Sequence, residues 1–241
     1  MRNFQPLNLL TSPPSTMRHN NIFLAFIFLI ATGLLVFYGV AVLSPTQTQE
    51  QSKNAQGLTA LDRPKIDFGN PRRGAEKPVV TIVEYGDYQC EPCSQMDADL
   101  QKILQDFPTK VAVVWKDFPN SSIHPAARGA AEAARCAGEQ GAFWQYHDTL
   151  LANQDAISAD NFSVFGTQIG IDGTSVASCV DAKTMSAVVG RDLEEALRLQ
   201  ITATPTIFIG DRRIEGVVGY DRLRSLVESA IAETENTPTT K

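Results

Sequence analysis

The sequence predicts an α/β domain that is interrupted by a helical insert and preceded by a single transmembrane helix. Three observations carry this reading: an apolar run near the N-terminus, a strand–helix–strand pattern over residues 78–116, and a second β region over 204–216 beyond alanine-rich helical segments. With 241 residues the chain is long enough for one sizeable domain plus appendages. Its 43% hydrophobic content suits a packed core. The net charge of −6, with no basic block after the N-terminus, argues against nucleic acid as a partner.

The apolar run is Ile22 to Leu43, 22 residues without a charge or a proline. As a helix it would span about 33 Å, enough for a bilayer core. Arg2, Arg18 and His19 precede it, and the polar, mixed-charge stretch SPTQTQEQSKNAQG follows. The positive-inside rule then leaves residues 1–21 in the cytoplasm and everything after Leu43 outside. A cleaved signal peptide is the rival reading, with Gly39-Val40-Ala41 as a weak cleavage site, but its apolar region would be only ~7–15 residues long. Either way the expected location is extracytoplasmic, on a single-pass cell-membrane protein or a secreted one. Cys90, Cys93, Cys136 and Cys179 would then sit where disulfides persist.

Residues 44–64 are rich in Gln, Ser, Thr and Asn and read as a flexible linker. Residues 65–232 form the working domain, and 233–241 read as a disordered tail. Pro78 to Tyr85 is β-branched and mostly apolar, as a buried strand requires. From Cys93 onward, Met96, Leu100, Ile103, Leu104 and Phe107 recur at helical spacing up to Pro108. Val111 to Lys116 is a second strand, so the first two strands pair in parallel across a crossover helix. The insert, about 122–200, holds several helices: Ala126 to Ala137, a segment from Ala142, shorter pieces, and about Lys183 to Leu199. Thr204 to Gly216, with a Gly210-Asp211 turn, reads as a hairpin, and Tyr220 to Ala232 as a closing amphipathic helix.

The stretch Cys90-Glu91-Pro92-Cys93 could be half of a zinc site, a structural disulfide or a reactive dithiol. Zinc needs four ligands, usually two close pairs, and neither Cys136 and Cys179 nor His19, His124 and His147 supply a second pair. A disulfide across two intervening residues removes little unfolded-state entropy. The redox reading fits best. Cys90 falls at a helix N-terminus, where orphan N–H groups and the macrodipole favour a thiolate, and Pro92 is tolerated there. Cys93 begins the buried helix face, so the expected pair is one exposed nucleophilic sulfur and one covered resolving sulfur.

Strand, Cys-x-x-Cys, helix, strand, helical insert and then Thr204-Pro205-Thr206-Ile207-Phe208-Ile209 resembles the thioredoxin fold of DsbA-like thiol–disulfide oxidoreductases. The resemblance is to the membrane-tethered or secreted bacterial group with a cysteine pair in its insert. It implies that Cys90 attacks, that Cys93 resolves, and that Pro205 is a cis-proline facing the dithiol. The backbone of Thr204 would then pair with an extended client strand beside Cys90. It also implies that Glu84, six residues before Cys90, is a buried acid that moves the Cys93 proton. Alternation agrees, since Val80, Ile82 and Glu84 share one strand face. Lys116 on the neighbouring strand is the expected partner of Glu84. The chain departs from the best-known oxidants of the family at Glu91, where those carry His after Pro. A carboxylate beside Cys90 should raise the thiolate's energy.

In an oxidising compartment Cys136 and Cys179 are expected to form a structural disulfide closing a loop of roughly 44 residues, worth about 4 kcal/mol in chain entropy, and the resemblance agrees. His124 reads as structural, and His147 as a satisfied core or edge histidine. The expected function is an extracytoplasmic thiol oxidase of reduced, unfolded exported proteins, reoxidised by a membrane quinone-linked partner. It would be a monomer held to the membrane by its N-terminal helix, with no metal and no cofactor. A reductase or isomerase, or a non-catalytic metal-binding or adaptor module, are the alternatives.

Overall fold

The computed structural model describes residues 29–30 and 63–236. Leu29 and Ile30 are helical and belong to a separate unit, Met1–Leu58. Nearly all of the expected anchor and linker, and residues 237–241, lie outside the described residues. Among the described residues no helix is long and apolar enough to cross a membrane.

The second unit is built on a five-stranded sheet. In chain order its elements are β1 (Arg72–Gly74), β2 (Val80–Gly86), α1 (Glu91–Asp106), β3 (Val111–Asp117), α2 (Ala127–Gly138), α3 (Phe143–Ala152), α4 (Phe162–Gln168), α5 (Gly173–Asp181), α6 (Ser186–Arg198), β4 (Thr206–Ile209), β5 (Arg212–Glu215) and α7 (Tyr220–Asn236). The strand order is β1-β3-β2-β4-β5. β2 and β3 run parallel, joined by α1, and the other pairings are antiparallel.

Alternation along the central strands feeds two cores. Val80, Ile82, Val111, Val113, Ile207 and Ile209 pack on α1 and α7 through Met96, Leu100, Ile103, Leu223 and Val227. On the opposite face Val83, Tyr85, Val114 and Phe208 meet Ala196, Leu199 and Ile201. A third core fills the insert, where the small side chains of Ala130, Ala133, Ala134 and Ala137 pack against Tyr146, Leu150, Phe162 and Val176. The Cys136–Cys179 disulfide forms as expected and ties α2 to α5.

Three differences from the sequence reading have local causes. β1 was not anticipated, because three residues carrying two arginines offer no apolar alternation; its pairing with β3 is a matter of backbone hydrogen bonds. α7 continues to Asn236, past the expected start of the tail at 233, with Thr234 Oγ1 donating to the Ala230 carbonyl at 2.9 Å.

The third difference concerns Lys116. In the β2–β3 register Glu84 stands opposite Trp115, and Tyr85 stands opposite Lys116. Glu84 and Lys116 therefore project from opposite faces of the sheet, and the expected pair does not form. Lys116 Nζ instead binds Glu195 Oε2 at 2.8 Å and Asp192 Oδ1 at 3.2 Å, on α6. Arg135 bridges Asp117 and Asp192 at 2.6 Å each, and Tyr85 donates its hydroxyl hydrogen to Glu195 at 3.0 Å. This buried network holds α2 and α6 to the sheet.

Candidate active site

The end of β2 turns into α1 within four residues. Gly86 is required there: a Cβ on it would lie 2.2 Å from the Trp115 ring. Asp87 then makes an Asx turn, its Oδ1 accepting from the Gln89 amide at 2.8 Å, and its carbonyl accepts from the Cys90 amide at 3.1 Å. Cys90 is the N-cap residue of α1, with extended backbone (φ −85°, ψ 111°), and Pro92 sits in the first turn. Cys90 therefore sits at the positive end of the helix, which favours a thiolate there.

Both thiols are free. Both are buried, Cys90 at 6% exposed and Cys93 fully covered, so the exposed outer sulfur expected from the sequence is not found, although Cys90 is the more open of the two. The reason is the loop before β4. Tyr85 pairs with Thr206, so the two residues preceding Thr206 run on past the end of β2 and over the start of α1. Thr204 thereby sets its carbonyl 3.4 Å from Cys90 Sγ, and the Thr204–Pro205 bond is cis.

The two sulfurs are electrostatically unlike. The Cys93 thiol donates to Cys90 and, against the opposing effect of burial and with help from Thr204, lowers the Cys90 pKa to about 6. Cys93 is pushed well above the usual thiol range, first by burial, then by its bond to Cys90 and the nearby Glu84. The Asp87 amide points at Cys93 Sγ from 3.5 Å. Glu91 lies on the exposed side of α1 and accepts weakly from Gln95 Nε2 at 3.4 Å.

Glu84 is completely buried and neither of its carboxyl oxygens has a hydrogen-bond partner. Burial, reinforced by Asp97, holds its pKa well above the ordinary carboxyl value. Such a group stays protonated where an exposed glutamate would be ionised, which suits it to exchange a proton with Cys93.

The insert grips the redox loop through polar groups that sequence reasoning passed over. Gln154 Nε2 donates to the Tyr88 and Cys90 carbonyls at 2.9 Å each. Gln89 Oε1 accepts from the Ala126 amide at 2.8 Å. The Tyr88 hydroxyl meets His147 Nδ1 at 3.0 Å, and His147 Nε2 meets Asp97 at 3.3 Å, so His147 is the satisfied core histidine expected. Asp97, His147 and Asp148 come together closely enough to suggest a metal site. Arg73, however, already pairs with both carboxylates, and its cation argues against a metal ion there. The signal for Asp87 was present in the sequence, as an aspartate directly after a strand-ending glycine; Gln154 had none. A groove of about 840 Å³ opens beside the loop, lined by Gln89, Glu91, Ile123, His124, Gln154 and Asp155 among others.

Residues 68–229 match the family model described as thioredoxin. The chain belongs to the thioredoxin family. Its fold is that of the DsbA-like thiol–disulfide oxidoreductases. The oxidised form of BdbD from Bacillus subtilis superposes with a TM-score of 0.65, covering 72% of this chain and 99% of that one at 24% identity. The thiol-disulfide exchange protein α-DsbA2 from Wolbachia pipientis gives a TM-score of 0.60, covering 68% and 88% at 22% identity. At these identities the likeness is one of fold. A curated relative, the Na(+)/H(+) antiporter NhaA 1 of Salinispora arenicola, is 32% identical over 86% of this chain. The chain spans only 32% of that relative's length.

Proposed function

We propose that the chain is an extracytoplasmic thiol–disulfide oxidoreductase that introduces disulfides into exported proteins through Cys90 and Cys93. The observation that carries the reading is the divided pair, an acidic Cys90 at a helix N-terminus above a covered, weakly acidic Cys93. In the oxidised enzyme a client thiolate attacks Cys90 Sγ and breaks the Cys90–Cys93 bond. Cys93 leaves as a thiolate and takes a proton from Glu84. A second client thiolate then attacks the client sulfur of the mixed disulfide, and Cys90 leaves as a stabilised thiolate. The client loses two electrons and the enzyme gains them; low leaving-group pKa favours this direction. The Thr204 backbone, whose carbonyl lies 3.4 Å from Cys90 Sγ, would hold an extended client strand.

Reoxidation would fall to a membrane quinone-linked partner, and the N-terminal apolar segment would keep the domain at the membrane. Ion antiport is not carried over, because the aligned stretch is about a third of the antiporter relative.

The deciding measurement is the reduction potential of the Cys90–Cys93 couple. A value displaced from about −270 mV toward about −120 mV supports the oxidase reading, whereas one near about −270 mV, with the pair reduced in cells, would make the protein a reductase. Glu84→Gln gives a second expected result. Exchange should slow by up to about a hundredfold, as for loss of a positioned acid–base group. Stability should move the opposite way. A raised folded-state pKa means that burial of Glu84 is tolerated fully below its ordinary value of 4.5 and progressively less as pH rises toward the folded-state value. Glu84→Gln should therefore match the wild type in urea denaturation at pH 4 and exceed it increasingly toward pH 8; equal stability at both would mean that Glu84 is hydrated.

A further inference from the structure

We propose that His124 is a positioning residue of the redox pair, holding the Asp87 carboxylate so that its charge is drawn away from the Cys90 sulfur. The proposal rests on the reading above that Cys90 is the reacting thiolate.

Asp87 touches the dithiol from several sides. It is 1% exposed, its amide donates to Cys93 Sγ at 3.5 Å, and its carbonyl accepts from the Cys90 amide at 3.1 Å. Its carboxylate accepts from three donors: the Gln89 amide at 2.8 Å, the Asn120 amide at 2.8 Å and His124 Nδ1 at 2.9 Å. A carboxylate only accepts, so Nδ1 carries the hydrogen. Two of the three donors are backbone groups. Among the described residues His124 is the one side chain that holds the carboxylate, and it reaches across from the β3–α2 connection.

The negative charge of the buried Asp87 side chain disfavours the Cys90 thiolate. Among the groups that act on Cys90, the Cys93 thiol is the strongest and favours ionisation, while Asp87 opposes it. Each donor to the Asp87 carboxylate withdraws part of that charge and fixes its direction. Loss of the His124 bond frees one lone-pair site of the carboxylate and strengthens its field at Cys90. The other charged groups facing His124 are the groove carboxylates Glu91 and Asp155, and neither appears among its hydrogen-bond partners.

The test is the pH titration of the Cys90 thiolate by its ultraviolet absorbance in the reduced full-length chain. His124→Phe removes the donor and is expected to raise the Cys90 titration by ~0.5 pH unit, with the reduction potential moving in the reducing direction. His124→Ala, which adds no bulk, should give the same rise if the phenylalanine variant folds poorly. His124→Asn, whose Nδ2 can stand where Nδ1 stood, should restore the wild-type midpoint. In Asp87→Asn/His124→Phe the rise should vanish with the charge. An unchanged midpoint in both His124→Phe and His124→Ala, with only a lower Tm, would overturn the proposal and leave His124 as packing. So would an undiminished rise in the double variant. A wild-type Cys90 titrating in the ordinary thiol range would instead sink the redox reading, and this inference with it.

Discussion

Cys90→Ser is expected to abolish thiol–disulfide exchange, by at least about a thousandfold, while Cys93→Ala accumulates mixed disulfides through Cys90. The difference follows from placement. Cys90 caps α1, and the Thr204 carbonyl lies 3.4 Å from its sulfur, where the proposed client strand would pair. Cys93 is fully covered beneath it, with its sulfur against the Asp87 amide and its proton held by burial. Removing the inner thiol leaves the outer one able to join a client but unable to release it by internal attack. Non-reducing electrophoresis of cells expressing each variant reads the result directly. Equal trapping by a Cys90→Ala variant would show that the attacking residue is misassigned.

Lys116→Ala is expected to destabilise the domain by about 3–5 kcal/mol, because it strips the cation from buried carboxylates rather than removing a pair. Lys116 is 3% exposed, and its partners Glu195 and Asp192 are 5% and 4% exposed. Burial and Asp117 already raise the Asp192 pKa to about 6, so that carboxyl can take up a proton when its partner goes. Glu195 keeps the Lys65 amide, at 2.7 Å, and the Tyr85 hydroxyl as donors but loses the Lys116 ammonium at 2.8 Å. The loss should accordingly be greater at pH 8 than at pH 5. Lys116→Met/Glu195→Gln should recover much of it, since both charges are then gone. Urea denaturation measures all three variants, and a loss below ~1 kcal/mol for Lys116→Ala would mean that water already solvates the network. Thiol exchange should be unaffected, because Lys116 leaves the sheet on the face opposite Glu84.

That last point marks where a sequence pattern stops being informative. Alternation correctly placed Glu84 on the face of Val80 and Ile82. It carried no register between strands, and a shift of one residue between β2 and β3 decides which face of the sheet Lys116 takes relative to Glu84. The same limit applies to Cys90: its position at a helix start was legible, but its small exposure comes from a loop more than a hundred residues away. β1 was invisible because edge pairing uses backbone groups, which every residue carries. His124 read as a structural histidine because its partner lies in another connection of the chain.

By itself the sequence determined the dithiol at a strand-to-helix junction, the parallel strand–helix–strand unit with its later hairpin, and the strand face on which Glu84 lies. Each of these is written in the spacing of neighbouring residues, where helical and strand periods act. Only the tertiary structure decided that the Thr204 carbonyl meets the Cys90 sulfur, that Lys116 serves the insert rather than Glu84, and that His124 reaches Asp87. Those outcomes depend on register and on contacts between distant segments, which become defined when the packed cores bring the segments together.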